Sequence, residues 1–392
     1  MNNYDTTPDR RGTGSIKWDQ KPHESAPEQI PLWVADMDFP TPEAVTKAIA
    51  ERNSHPIFGY TMAGDGYYRE LDRWFSRRFD FSIEKESVTI SPGIVPAIHA
   101  AIRAFTEPGD DVIIQNPVYY PFASAVTDNG RNLMVNNLVE RHGYYTMNLQ
   151  ELEEMAASAK LMVLCSPHNP VGRVWDPGEL EDVARIAKQH KLIVVSDEIH
   201  CDLVMPDAPR RHTPFPLLDE GVAEQTVLCT APSKTFNIPG LATSNIVITD
   251  SRLRKRFREE LKRSCGDLPN CFGAVACEAA YREGEAWLEE TLKYIMGNRD
   301  ALTLFLKENI PDITVMPLEA TYLLWLDVRP ILAKSSLTSS QLERLFIDEA
   351  GVWLESGSLF GTSGEGFLRA NIACSRTLLL QAFEKVAAVL QA

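Results

Sequence analysis

The chain has 392 residues, with 39 Lys+Arg against 54 Asp+Glu and a formal net charge of −15. That balance argues against a general binder of nucleic acid or anionic membrane surfaces, and the length suits one large domain plus a smaller one, with a core that needs no disulfides. Seven cysteines with no C-x-x-C pair and eight histidines with no ligand spacing argue against a metal site and for a reducing, cytoplasmic setting; no secretory h-region and no run of about 18 apolar residues is present.

Residues 1–30 read as an extended polar lead. Residues 31–40 form an apolar-acidic loop ahead of a helix, with Thr41 as the expected N-cap and Pro42 in the first helical position. From about residue 85, short β-branched runs alternate with amphipathic stretches. The predicted strands are 88–91, 112–115, 161–165, 192–196, 226–230 and 245–249, with helices such as 96–105 and 179–190 between them. This rhythm predicts βαβ units and a mostly parallel sheet covered by helices on both faces. After about residue 285 the pattern changes to a long helix (287–309), strands at 322–328 and 367–372, and a last helix at 377–390. A domain boundary is expected there, with the N-terminal lead packing on the second domain.

Ligands of open α/β sheets bind beyond the carboxyl ends of the strands, so the residues after each run carry the functional argument. After 88–91 comes Pro92-Gly93-Ile94-Val95-Pro96 and a helix. Gly93 permits close backbone approach, and the amides of Gly93, Ile94 and Val95 make an anion site; an ordinary βα turn is the alternative. Tyr119, after 112–115, can stack on a planar ring or fill a loop–core junction. Asn169, after 161–165, is held extended by Pro170 and offers an amide to a phenolic oxygen, or makes a simple turn. His168 beside it reads as structural.

Asp197 follows 192–196, where a buried carboxylate needs a cation. A protonated pyridine nitrogen supplies one, and His200 can then reach the ring oxygen; the alternative is a salt-bridged loop acid. Lys234 follows 226–230. It is the expected Schiff-base residue for pyridoxal phosphate (PLP), provided that an apolar pocket and a neighbouring cation depress its pKa. An exposed loop lysine is the competing reading. It weakens because five consecutive strand ends all carry compatible groups.

The segments 9–13, 17–19, 33–39, 59–61, 91–93, 165–172, 196–202, 231–240 and 365–373 together resemble fold-type-I PLP enzymes, the aminotransferase-like superfamily, and within it the MalY/PatB-type cystathionine β-lyases (C–S lyases). The resemblance spans nearly the whole chain. It implies an α/β, PLP-dependent transferase-like fold: an N-terminal segment (1–50) packing with the small domain, a large PLP-binding domain (51–285) with a mostly parallel central sheet, and a smaller C-terminal α+β domain (286–392). It implies a homodimer with active sites at the interface.

By resemblance, Lys234 bonds the cofactor, Asp197 pairs with its ring nitrogen, Asn169 with its phenolic oxygen, and Tyr119 stacks on its ring. Tyr60 would reach across the dimer to the partner's phosphate. Arg369 would hold the substrate α-carboxylate in a bidentate fork, with Ala35 and Tyr60 also contacting substrate. The implied activity is α,β-elimination of cystathionine or related cysteine S-conjugates, within amino-acid metabolism (methionine biosynthesis). The alternatives are a class I/II aminotransferase and, more distantly, a PLP-sensing regulatory module, for which residues 1–40 are too short and too acidic to supply a DNA-binding helix pair.

The chain departs from the wider superfamily at four places. Ala231 and Ala242 stand where many aminotransferases place a phosphate-binding serine and arginine, His200 where they place tyrosine, and Ala35 where glycine precedes the loop acid. Ser233 or Thr230 is the expected substitute at the phosphate.

Overall fold

Runs that are apolar at every position become strands buried on both faces. The computed structural model describes residues 4–6, 8–218, 221–266 and 268–391. Its main sheet has seven strands: β1 (Val88–Ser91), β2 (Asp111–Asn116), β3 (Asn132–Asn137), β4 (Leu161–Cys165), β5 (Ile193–Asp197), β6 (Thr226–Thr230) and β7 (Ser244–Val247). They lie in the order β1-β7-β6-β5-β4-β2-β3. Strands β2 to β6 pair in parallel, whereas β7 runs antiparallel to both its neighbours. Every residue of β4 and β6 is buried, which is why these two runs show no polar alternation.

Strand β3 is not expected from the sequence. It is a polar edge strand, Asn-Leu-Met-Val-Asn-Asn, whose outer residues need no apolar face. A second sheet is entirely antiparallel: β8 (Thr314–Val315), β9 (Leu323–Asp327), β10 (Glu355–Ser356) and β11 (Phe367–Asn371), in the order β8-β9-β11-β10. The helices Glu285–Asn309 and Arg376–Gln391 pack together beside it.

The N-terminal lead is not extended. Ile16–Asp19 makes a helical turn, and Ile30–Pro31 pairs in parallel with Val352–Trp353. Its polarity misleads because Lys17 is fully buried, with Nζ 2.8 Å from Asp38. Thr41 is not an N-cap either. The helix Glu43–Ser54 has Pro42 at that position, and the Thr41 hydroxyl instead donates to the Phe236 carbonyl at 2.9 Å. Among the described residues no helix is long and apolar enough to cross a membrane, and no group of His, Cys, Asp and Glu is arranged to hold a metal.

Candidate active site

Because β2 to β6 run in parallel, the turns after β2, β4, β5 and β6 emerge on one edge of the sheet. They meet the turn after β1 around a cavity of about 200 Å³. Ten of the residues singled out from the sequence line it: Ala35, Gly93, Ile94, Val95, Tyr119, Asn169, Asp197, His200, Ser233 and Lys234.

Part of the cavity wall is the start of a helix. The helix Ile94–Phe105 makes its first backbone bond from Ala97 N to the Gly93 carbonyl. The amides of Ile94 and Val95 precede that bond, so the helix itself does not use them. Gly93 has φ 179°, ordinary extended backbone, and its role is space: a Cβ there would come within 3.3 Å of the Pro96 ring. Ser233, Thr243 and Ser244 also line the cavity, with the Thr243 hydroxyl donating to the Leu241 carbonyl at 3.1 Å. Thr230 does not line it; it is buried in β6, with its side chain towards Cys201. Thr243 and Ser244 escape a sequence reading for a topological reason. They sit at the start of β7, the antiparallel strand, whose amino end and not its carboxyl end reaches the cavity.

The middle is shaped by Tyr119, Asn169, Asp197 and His200. Burial pushes the Tyr119 hydroxyl up to about 12, so the ring is a neutral, largely apolar wall. Burial also pushes the Asp197 carboxyl up to about 7, against one hydrogen bond from the Ile199 amide at 3.1 Å and the charge of Lys234. His200 is pulled down to about 3, first by burial and then by Lys234 and Arg369. Its imidazole is neutral, and its buried Nδ1 has no partner.

Lys234 lies on the short helix Pro232–Thr235 directly after β6. Its neighbour Thr235 donates to Asp202 at 3.0 Å, and Asp202 also accepts from the Trp74 indole at 3.0 Å and the Arg78 guanidinium at 3.0 Å. This buried network fixes the backbone from which Lys234 projects. Nζ donates to the Ala35 carbonyl at 2.6 Å, an oxygen that also accepts from Tyr322 at 2.9 Å. Burial lowers the Lys234 amine to about 8; Arg369 pushes it the same way, while Asp36 and Asp197 oppose.

The loop that carries Ala35 is itself clamped. Asn371 donates to the carbonyls of Val34 and Asp36, each at 2.6 Å. Asn237 donates to those of Met37 and Phe39 and accepts from the Met37 amide. Asn237 sits at φ 55°, a left-handed conformation that asparagine tolerates. Arg10 bridges Asp36 and Asp38 at 2.7 Å each, and Lys17 and Trp18 complete the shell around Asp38. Burial alone would raise Asp38; these donors hold it below its ordinary range. Tyr322, Asn237 and Asn371 have no role assigned from the sequence, although Asn237 and Asn371 lie inside the resembling segments.

Arg369, on β11, is buried beside the cavity. Its Nη1 donates to Asn169 Oδ1 at 3.3 Å, and its Nη2 to the Trp33 carbonyl at 2.8 Å and to Glu355 at 3.2 Å. Tyr60 is not brought to this cavity. It is 99 % exposed, on a segment where Ile57 and Met62 are also bare.

Residues 27–386 match the family described as aminotransferase class I and II. Cystathionine β-lyase PatB of Bacillus subtilis is 40 % identical over 391 residues, covering 99 % of this chain and 100 % of that protein. The crystal structure of cystalysin from Treponema denticola, which contains a pyridoxal 5'-phosphate cofactor, superposes with a TM-score of 0.95 at 36 % identity over 100 % of this chain and 99 % of that one. The PLP-bound C–S lyase of Staphylococcus hominis gives a TM-score of 0.92 at 33 % identity, covering 99 % and 98 %.

Proposed function

The chain belongs to the aminotransferase class I and II family, and within it we propose that it is a PLP-dependent carbon–sulfur β-lyase that cleaves cystathionine or a related cysteine S-conjugate to a thiol, pyruvate and ammonia. The observation that carries the reading is end-to-end similarity to a cystathionine β-lyase at 40 % identity, in a chain with a cavity that joins Lys234, Asp197 and an anion cradle.

The residues present fit the cofactor. The free amides of Ile94 and Val95 and the hydroxyls of Ser233 and Ser244 suit a phosphate, whereas the Thr243 hydroxyl already donates to the Leu241 carbonyl at 3.1 Å. Tyr119 suits a stacked ring. The unpartnered His200 Nδ1 and the Asn169 amide suit a phenolic oxygen. Asp197, raised by burial, suits a cationic nitrogen that would restore its charge. Bound there, PLP would supply an electron sink for the pair left when the substrate loses its Cα proton; the thiolate would leave with the Cβ–S electrons, and water would convert the released aminoacrylate to pyruvate and ammonia.

The chain's own residues do the rest. Arg369 holds the substrate carboxylate and so aims the Cα–H bond. Lys234 takes the proton from Cα at Nζ, which its depressed pKa suits for general-base work near neutral pH. Asp197 would keep a proton on the ring nitrogen. The Ala35 carbonyl, fixed by Tyr322 and the clamped loop, orients Nζ. We read residues 1–50 as a segment packing with a small domain of 286–392, around a large cofactor domain of 51–285. The expected setting is cytoplasmic.

The test is pyruvate and thiol release from cystathionine and a panel of cysteine S-conjugates by purified holoenzyme. Stoichiometric pyruvate is expected. Amination of a keto acid acceptor without pyruvate would transfer the reading to an aminotransferase.

The proposed assembly is a homodimer in which Tyr60 completes the partner's phosphate site. Its support is the bare apolar stretch around Ile57, Tyr60 and Met62, which a single chain leaves in water. Sedimentation at twice the chain mass of 43.9 kDa is expected, and sedimentation at that mass alone would sink the assembly.

A further inference from the structure

The carboxylate subsite contains a carboxylate of its own. Glu355, on β10, is the direct cross-strand partner of Arg369 on β11. Directly opposed residues project from the same face of a sheet, and Glu355 Oε2 lies 3.2 Å from Arg369 Nη2. Both side chains are almost fully buried, 3 % exposed for Arg369 and 8 % for Glu355. The guanidinium also rests over the Phe360 ring at 4.9 Å, while its buried Nε has no acceptor.

A cation desolvated to this degree is strongly attracted to any anion, so its resident counter-ion decides how much attraction remains for an arriving one. We propose that Glu355 is the specificity-determining positioning residue of this subsite: it holds the Arg369 fork in place and cancels much of its charge, so that the substrate α-carboxylate binds as the second anion on a shared cation. The inference rests on the reading of Arg369 as the substrate-carboxylate residue.

The groups facing Glu355 are few. Arg369 favours its ionised form. Glu343, which is joined to the adjacent Ser356 by a 2.6 Å hydrogen bond, opposes it, and Tyr119 and Tyr120 lie close enough to feel its charge. Burial raises the Glu355 pKa above the ordinary glutamate value, ahead of these charges. Lowering the pH therefore neutralises Glu355 earlier than a surface glutamate.

The test is calorimetric binding of L-alanine and L-alaninamide to the holoenzyme. Alanine has no leaving group, so the result does not depend on whether the enzyme is a lyase. Wild-type protein is expected to prefer alanine, whose carboxylate Arg369 reads. Glu355→Gln keeps the volume and one acceptor oxygen but removes the charge. It is expected to bind alanine about tenfold more tightly, with alaninamide unchanged. Glu355→Asp is expected to return the affinity towards that of wild type.

Protonation makes the same change without a mutation. The alanine-to-alaninamide affinity ratio of wild-type protein is expected to rise as pH is lowered from neutrality, before the range in which an ordinary glutamate titrates, and to stay flat in Glu355→Gln. A wild-type preference for alanine that Glu355→Gln leaves unchanged or weakens, or a flat wild-type ratio, would overturn the role of Glu355. Equal wild-type binding of the two ligands would remove the assignment of Arg369 and this inference with it. Failure to release pyruvate would touch only the lyase reading.

Discussion

Lys234→Ala is expected to lower kcat for pyruvate release by about 10³-fold or more and to abolish the visible absorbance of covalently held cofactor. In the proposed mechanism the amine has two jobs, covalent attachment and proton removal from Cα, and general-base work alone is worth about 10²–10⁴-fold. Three neighbours are poor substitutes. His200 is held neutral but is buried with a pKa near 3 and is a poor base, and Tyr119 and Tyr322 are kept protonated by burial.

Attachment to an aldehyde needs the neutral amine, and burial brings Lys234 to about 8, against about 10.4 for an unperturbed lysine. The neutral fraction grows as pH rises through that value. The rate at which cofactor-free protein captures PLP is therefore expected to climb with a midpoint near pH 8 and then level off. A midpoint near that of an unperturbed lysine, or a Lys234→Ala variant that keeps most of its turnover, would remove Lys234 from the centre of the site.

The position of Lys234 is legible in the sequence because a charge directly after a strand buried at every residue has few structural excuses. The turns after β1, β2, β4 and β5 are legible for the same reason: in parallel strands the carboxyl ends gather, so the residues just beyond each apolar run converge on the site. That rule fails at β7. An antiparallel strand delivers its amino end, so Thr243 and Ser244 carry no signal of this kind, while Thr230, the last residue of β6, looks like a phosphate ligand and points elsewhere. The clamp on the Ala35 loop is invisible for another reason. Asn237, Asn371 and Tyr322 act on backbone carbonyls, which carry no residue identity, and Lys17 is a buried ion-pair partner inside a stretch that looks solvated. The Glu355–Arg369 pair is out of reach because strand register, not spacing along the chain, sets it.

Asp197→Asn is expected to keep PLP bound and yet lower kcat for pyruvate release by about 10²–10³-fold, the usual cost of removing one preorganised charge from a desolvated site. Two adjacent buried carboxyls have opposite circumstances. Glu198 is fully engaged by the protein: it lies 2.6 Å from His212 Nε2 and accepts from the Ser196 hydroxyl at 2.8 Å and the Phe215 amide at 2.9 Å. Asp197 has the Ile199 amide at 3.1 Å and otherwise faces the cavity. With so little support, burial raises it to about 7, and a cation delivered into the cavity is what makes the ionised form favourable. A carboxylate in that state holds the ring nitrogen protonated, which asparagine, of the same shape but without the charge, cannot do. The proposed cradle of Ile94, Val95, Ser233 and Ser244 and the amine of Lys234 are untouched, so occupancy measured by absorbance stays near stoichiometric while turnover collapses. Turnover within about threefold of wild type would mean that Asp197 is a loop acid after all, and loss of the cofactor itself would mean that its charge anchors the ring and does not tune it.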